Sequence, residues 1–526
     1  MCCEIKEKSN TIKYNPLFEL LKYVYSFFLF IVFLICMIFG RIEYANKRIG
    51  EINNNLLLVL FGMVLFIVLY LFIHKIKLGG GKKCIVGLCI LFFVLQALLI
   101  EKYYFFTRWD VAHVFHSAEA VALSQPERLG QQILYFSLYP NNLFLVYLFA
   151  CVIKIANLFG YNNYYFSLIV FQCLLSGIAG VLVYNIVIEI SNNRHQALFA
   201  FVVYQLLTGL SPWISVPYSD SVGLFFPAFL LFMYIKVKKA ELKEERLKAL
   251  FLWVLISFFS VIAFQIKPQC CIVGISFVII EGLSFKFREI RRFFIWFLCV
   301  AIGAYITFSL SSAVIGSLGI KVDSERAIGI THFLMMGLNE RNNGAFYSKD
   351  SVYSAKIHNK KERMHENLRV AVERVNSYKA YGLLKHFCKK TLTVFNDGTF
   401  CWGGEGEFYD KILPDNNNRL SIFLRNIYYN NKMQGKYYKA WSDFAQSVWI
   451  TTLGLTVLMA FVKRNKVFMC ISLSLFGLWL FELLFEARAR YLFSYVPFFV
   501  IAGSFGMETL YEFVQKSLFE KSIPSR

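Results

Sequence analysis

Leu56 to Ile73 runs without a charged side chain, and Cys84 to Ile100 does the same a few residues later. At about 1.5 Å of rise per residue, a helix of that length crosses the hydrocarbon layer. Lipid leaves an exposed backbone few other ways to pair its own polar groups. Similar runs recur along all 526 residues, 57% of which are hydrophobic and 18% aromatic, with a mean hydropathy of +0.52. The fold class this implies is all-α: a polytopic integral membrane protein. About twelve spanning helices are expected, near 22–40, 56–73, 84–103, 164–190, 196–214, 219–235, 249–266, 269–285, 293–315, 446–462, 467–485 and 491–511. The first run, Tyr25 to Phe39, lacks a small-residue cleavage site, so a retained helix is expected there, not a signal peptide.

One segment, 140–159, resists assignment by length. Its clean apolar stretch, Leu143 to Ile153, stops at Lys154 and suits an interfacial or re-entrant helix better than a span. Charge parity decides the matter. The net charge of +21 is concentrated in short clusters between apolar runs, including "HKIKLGGGKK", "KVKKAELKEERLK", "KFREIRR" and "KRNK". If 140–159 does not cross, these four share one side, as the retention of Lys and Arg in the cytoplasm requires. Both termini then lie inside a cell membrane, and nucleic acid is excluded as the partner of this basic charge. Frequent Asn, Lys, Ile, Tyr and Phe fit an AT-rich, bacterial genome.

The same parity sends "TRWD", "YPNN", "VPYSD", "QIKPQ", the polar stretch 316–445 and "EARARY" to the outer face. The chain divides into N-terminal spanning helices (1–104), a first outer loop with interfacial helices (105–163), a spanning core (164–315), a large outer loop (316–445) and C-terminal spanning helices (446–526). Within the large loop, "KKERMHENLRVAVERVNSYKAYGLLKHF" reads as one or two helices, the second amphipathic enough to lie on the membrane. "NDGTFCWGGEGEF" reads as a turn followed by a flexible glycine cluster. The thirteen cysteines show no metal-binding spacing. Cys2–Cys3 and Cys270–Cys271 are adjacent, most others fall in apolar runs as packing residues, and only Cys388 and Cys401 share the polar loop.

From Asp110 onward, apolar residues follow helical spacing, with Asp110, His113 and Ser117 on the more polar side. A carboxylate at the start of such a helix either caps it or serves a reaction, and spacing alone does not choose. Asp220 begins a later helix and carries the same two readings, with Ser219 and Ser221 as competing caps. Cations collect on the outer face where statistics disfavour them: Arg108, Lys267, Arg488 and Arg490. They suit a bound anion, although Glu486 is placed to pair with one of the arginines. His332 in "THFLMMGLN" is either a phosphate-binding or a packed histidine. The sequence shows no Gly-rich nucleotide loop, no His/Cys metal set and no Ser/His/Asp ordering.

"WD" at an outer helix end, then "YFSLYPNN", "VPYSD", "THFLMMGLN", "NDGTFCW" and "FEARARYLFSYVPFF" in this order resemble bacterial polytopic glycosyltransferases of the C superfold. Those are relatives of protein mannosyltransferases and of lipid A aminoarabinose transferases. The resemblance spans about Phe105 to Pro497. It implies a polyprenyl-phosphate-linked sugar donor and transfer on the outer leaflet to a glycan, lipid or protein acceptor. It also implies a catalytic acid at Asp110 and a second functional carboxylate at Asp220 beside Tyr218. Trp109, Tyr139, Asn141, Asn142 and His332 fall in the matching motifs as substrate-binding residues. Many protein mannosyltransferases carry two adjacent acids in the first loop, whereas here Trp109 and Val111 flank Asp110. The interfacial helix after that loop agrees with the parity argument.

A glycosyl phosphate needs an acceptor hydroxyl partly deprotonated and its departing phosphate neutralised. The expected roles are Asp110 as base, Asp220 as a second acid holding acceptor or sugar, and Arg108, Lys267, Arg488 and Arg490 as phosphate partners. Single displacement would invert the anomeric centre. The lipid-linked sugar is a co-substrate; no cofactor is expected, no metal ligands are assigned, and a divalent metal requirement is left open. Two other classes fit the composition: a flippase or transporter of lipid-linked sugars, and a polymerase or ligase of lipid-linked glycans.

Overall fold

The computed structural model describes residues 16–39, 55–77, 81–285, 289–406, 409–413, 418–429, 435–462 and 466–520. The leader with Cys2 and Cys3, the extreme C-terminus, the first two glycines of "HKIKLGGGKK", the first three residues of "KFREIRR" and of "KRNK", and the last two residues of "NDGTFCWGGEGEF" lie outside them. Asparagine starts many of the helices. Asn163, Asn193, Asn359 and Asn418 each present a side-chain oxygen to backbone N–H groups of the first turn, which would otherwise be unpaired.

Among the described residues, twelve helical segments run the length of a bundle: Pro16–Ile38, Asn55–Lys75, Gly81–Ile100, Tyr164–Ser191, Arg194–Tyr204 with a π-turn to Gly209, Ser219–Gly223 continued by Phe225–Leu242, Arg246–Ile266, Pro268–Cys271 continued by Ile272–Ser284, Ile290–Gly316, Tyr438–Val457 continued to Phe461, Lys466–Leu484, and Ala489–Tyr495 continued by Val496–Glu520. Their ends are fixed by side-chain pairings. At one end, His74 stacks on His195 with centroids 4.8 Å apart. Also there, Glu189 holds Lys236 and Lys239, Glu281 holds Lys238 and Lys466, and Tyr70 reaches Glu508. The basic connectors that the described residues include thus gather at this basic end.

Nine helices among the described residues are long and apolar enough to cross a membrane, and the chain is an integral membrane protein. Four of the twelve bundle segments are missing from the nine, and burial explains the most polar of them. Tyr438–Val457 carries Ser442, Gln446, Ser447, Thr451, Thr452 and Thr456, all buried, because neighbouring helices shield it from lipid. Ser447, Thr452 and Thr456 fold back onto the helix's own carbonyls, as in Thr452 to Val448 at 2.7 Å, and Gln446 donates to Asn396 at 3.0 Å and to Asn55 at 3.2 Å. Helices at the periphery look different. Asn55–Lys75 exposes Leu56, Leu57, Leu60, Phe61, Val64, Val68 and Phe72, a face suited to lipid.

The segment Pro140–Leu158 is among the nine by length and composition, so the eleven-residue argument for its shortness does not hold: the helix runs on through Lys154. Its two ends are nevertheless held at the same end of the bundle. At its start, Asn142 donates to the Tyr135 hydroxyl at 2.7 Å. After it, Asn163 donates to the Tyr104 hydroxyl at 2.8 Å, and Tyr104 immediately precedes the strand Phe105–Thr107. Both ends therefore lie at the end of the bundle opposite the basic connectors. It packs lengthwise on the helix Asp110–Ala122, where Ser117, polar by spacing, is fully buried.

That opposite end also carries 316–445, woven into the bundle. Strand β1 (Phe105–Thr107) pairs antiparallel with strand β2 (Tyr409–Ile412), Phe105 opposite Ile412. The helix Lys360–Phe395 breaks at Lys379, where φ is 51°. The end of its second half enters the protein. His386 and Lys390 through Phe395 are buried, and the Lys390 ammonium donates to the carbonyls of Gly337, Leu483 and Phe485 at 2.8, 2.8 and 2.7 Å. A lysine so placed closes the C-terminus of Lys466–Leu484. The glycine cluster is likewise packed, not flexible: Trp402 through Gly406 are all buried, and a Cβ at Gly406 would collide with the Trp402 ring. No disulfide joins Cys388 and Cys401, and Cys401 is buried beside Ala345 and Ala489.

Candidate functional site

The turn after Phe395 positions the deepest part of the site. Asp397 accepts from the backbone of Thr399 at 3.0 Å and of Cys401 at 2.8 Å. It thereby holds Phe400 and Cys401 at φ of 54° and 61°, a backbone region that non-glycine residues seldom adopt. The Trp213 indole donates to the Thr399 and Phe400 carbonyls, both at 3.1 Å, and the Trp402 indole donates to Tyr428 at 2.7 Å. With both indoles pinned, Glu405 points into the bundle at 3% exposure.

Glu405 joins a set of buried charges drawn from three other segments. Its Oε2 lies 2.9 Å from Arg488 Nη1 and 2.7 Å from Arg490 Nε. Arg490 Nη1 donates to Asp220 Oδ2 at 2.9 Å, and Lys267 donates to Asp220 Oδ1. Arg488 Nε donates to Glu486 at 2.5 Å, the pairing that sequence proximity suggested. Asp220, Glu405 and Glu486 balance Lys267, Arg488 and Arg490 one for one. Charges removed from water to this degree are stable only with such partners.

Asp110 stands beside this network. It occupies the first helical position, while Trp109 is the N-cap and makes no side-chain capping bond. Asp220 likewise follows Tyr218, which makes no side-chain capping bond. The capping readings of both aspartates are therefore set aside: each carboxylate faces across the bundle. Asp110 Oδ2 accepts from the Tyr218 hydroxyl at 3.2 Å. No ion pair engages it among the described residues, and it is half-buried. Burial, then the Asp110 charge, raise the phenol pKa of both Tyr135 and Tyr139, so the carboxylate is ringed by neutral hydroxyls. Trp109 joins the two groups, with the Arg490 guanidinium 4.7 Å over its ring and Tyr218 edge-on at 5.0 Å.

Most of the residues singled out from sequence converge here. Asp110, Trp109, Tyr139, Asn142, Tyr218, Asp220, Lys267, Arg488 and Arg490 form one continuous constellation. Asn142, buried, lies 3.5 Å from the Tyr218 hydroxyl. Arg108 is exposed next to Trp109, and Asn141 is exposed with its amide on Asn142 at 3.3 Å. His332 belongs elsewhere: it is buried against Ser354 at 2.7 Å, and burial lowers its pKa to about 4, so it is neutral and supplies no cation to a phosphate. Glu405 was missed from sequence, hidden in what reads as a loose glycine run. Its available signal was a carboxylate flanked on both sides by glycines too small to screen it. Tyr135 was missed too; it stacks on His113 at 4.1 Å. Among the described residues, no three His, Cys, Asp or Glu side chains converge as they would around a metal ion.

One family model, described as "Conserved hypothetical integral membrane protein", matches residues 14–511. No curated protein matches the chain. A similar solved structure is the archaeal oligosaccharyltransferase AglB from Archaeoglobus fulgidus, in complex with an inhibitory peptide and a dolichol-phosphate. The TM-score is 0.37 at 10% identity, over 83% of this chain and 52% of AglB. The chain thus spans about half the length of that protein, and a likeness at this level carries no argument about activity.

Proposed function

We propose that this chain, which belongs to the family of conserved hypothetical integral membrane proteins, transfers a sugar from a polyprenyl-phosphate-linked donor to a hydroxyl of an envelope glycan, lipid or protein. The observation that carries the reading is Asp110. It is a half-buried carboxylate with no ion pair among the described residues, contacted by the Tyr218 hydroxyl and set beside buried, matched charges. A carboxylate that no ion pair engages can turn an oxygen to a hydroxyl brought against it, the geometry that a general base needs. In the step, Asp110 takes the acceptor proton, the acceptor oxygen bonds the anomeric carbon, and the bond from that carbon to phosphate breaks. Polyprenyl phosphate leaves with the electron pair, and the anomeric centre inverts.

The fixed dipoles and charges around Trp109 supply the preorganised field for such a step. Lys267 and Arg490 are committed to Asp220, so they act on phosphate through the field and not as free ligands. Asp220 then anchors cations; it does not grip acceptor or sugar. Arg108, exposed on the same loop, is the direct phosphate partner, while Arg488, 14% exposed but paired with Glu405 and Glu486, acts through the field as Lys267 and Arg490 do. The clustering of basic connectors at the other end supports an outward-facing site in a cell membrane with cytoplasmic termini.

The test supplies purified protein in lipid nanodiscs with a labelled polyprenyl-phosphate monosaccharide and an acceptor extract. Transfer of single labelled sugars is expected, and Asp110→Asn should lower turnover by roughly 10²–10⁴ with donor binding retained. In a parallel assay in sealed vesicles, relocation of the donor between leaflets without transfer would instead mark a flippase, and growth of long labelled chains a polymerase. Full turnover by Asp110→Asn would remove the base.

A further inference from the structure

A second concavity lies in the polar region that follows Ile290–Gly316. It is a cleft of about 410 Å³, walled by Asn339, Arg341, Tyr347, Lys349, Arg374 and Tyr378. That volume falls within the roughly 300–1,000 Å³ range of small-molecule sites. Glu340 is the one carboxylate in the lining, set against three cations. Arg374 is held by Asp350 through two bonds of 2.8 Å and serves as a fixed wall. Arg341 and Lys349 are different: both are exposed, and among the described residues no carboxylate pairs with either. The Tyr347 ring is half-buried on the same wall.

The walls are rigid. The long helix breaks directly after Tyr378, at Lys379, with φ 51° and ψ 175°, while the Tyr378 hydroxyl is tied to the Leu338 carbonyl at 2.9 Å. On the other side, Asn343 and Gly344 turn the chain at φ of 51° and 75°. Backbone kept in such regions persists only where its surroundings hold it.

The strap from Gly344 to Ser351 joins this cleft to the Asp110 constellation. The Gly344 carbonyl accepts from Ala487 at 2.9 Å. The Phe346 ring lies 5.6 Å from the Arg488 guanidinium, and Ser351 sits beside Tyr139. One face of the strap thus borders the cleft and the other borders the site.

We propose that this cleft binds an anionic saccharide segment of the acceptor, a sugar carrying carboxylate or phosphate, with Arg341 and Lys349 on the charge and Tyr347 against the sugar face. The identity of the occupant as acceptor rests on the proposed transfer; the binding does not. Two unpaired cations select charge, a half-buried phenol ring offers a flat apolar face with a polar tip, and the volume admits a short oligosaccharide, not a folded partner.

The test uses full-length protein in phosphatidylcholine nanodiscs without donor, titrated with tetragalacturonate. Saturable, salt-sensitive binding is expected. Arg341→Ala/Lys349→Ala should weaken it at least about tenfold, while Arg341→Lys/Lys349→Arg keeps most of it. Unchanged affinity in the alanine pair overturns the proposal. Equal competition by maltotetraose does so as well, because charge would then not be read; equal competition by inorganic phosphate would reduce the cleft to a bare anion site. Binding without any transfer would fail the proposed function and leave the cleft intact. Transfer with unchanged binding in the alanine pair would do the reverse.

Discussion

Asp220→Asn separates an anchoring carboxylate from one that touches substrate. The structure places Asp220, 1% exposed, between Lys267 and Arg490, the latter at 2.9 Å. At that distance a unit pair attracts by roughly 6 kcal/mol at an effective dielectric near 20. Desolvation of the charges takes back a large part of that gain. Removing one partner leaves buried cations uncompensated, and the expected loss of stability is about 3–5 kcal/mol. The assay is reversible denaturant unfolding in detergent, followed by tryptophan fluorescence, because Trp109 lies under Arg490. Lys267→Gln in the Asp220→Asn background should recover part of the loss, since one stranded cation is then gone. A substrate-gripping Asp220 makes the contrary forecast: stability within about 0.5 kcal/mol of wild type and a defect confined to turnover. That outcome, with no coupling to Lys267, would refute the anchoring argument.

Gly406→Ala should displace the Trp402 ring, drag Glu405 off Arg488 and Arg490, and lower both stability and transfer; retention of both in a melting and activity comparison would show that the turn has slack. Mild acid should loosen 316–445, because His332 and His386 have pKa values lowered to about 4, chiefly by burial. An unfolded histidine takes a proton near pH 6.5, so this stability is complete above that pH and drains away as pH falls toward 4, by at most roughly 3 kcal/mol per ring. Limited proteolysis at pH 7, 5.5 and 4.5 reads the effect, and a flat profile contradicts it. In a cysteine-depleted chain, Asn162→Cys should react with an impermeant label from the same side as Lys349→Cys and opposite to Lys243→Cys. Labelling of 162 together with 243 would mean that Pro140–Leu158 crosses.

The bundle was legible because lipid imposes a simple rule on sequence. Peripheral helices such as Asn55–Lys75 must be apolar around most of their girth, and they announce themselves. Helices inside the bundle obey a weaker rule: Tyr438–Val457 carries serines and threonines that satisfy themselves against its own carbonyls. For 140–159 the length argument fails, since the short apolar stretch ends at a lysine that the helix simply carries, and charge parity is the argument that remains for both its ends facing one side. For the site, charged residues at helix ends were visible as candidates, but their partners were not. Nothing in "VPYSD" states that its aspartate meets Arg490, 270 residues on. Glu405 was hidden because packing by Trp402, Trp213 and Asp397, none of it local in pattern, turns a glycine run into a fixed turn.

The pairing of β1 with β2 governs the order in which the molecule can become competent. Phe105–Thr107 enters the membrane region early in synthesis, yet its partner Tyr409–Ile412 emerges only after three hundred further residues (on the order of fifteen to sixty seconds at typical translation rates), and Arg490 comes later still. Until then Asp220 and Lys267 meet without their third member, and the segment ahead of Asp110 has no sheet to lie in. Competence therefore arrives with the final helix, all at once. A ribosome that stalls anywhere before Arg490 leaves behind a bundle in which Asp220 lacks its arginine partner.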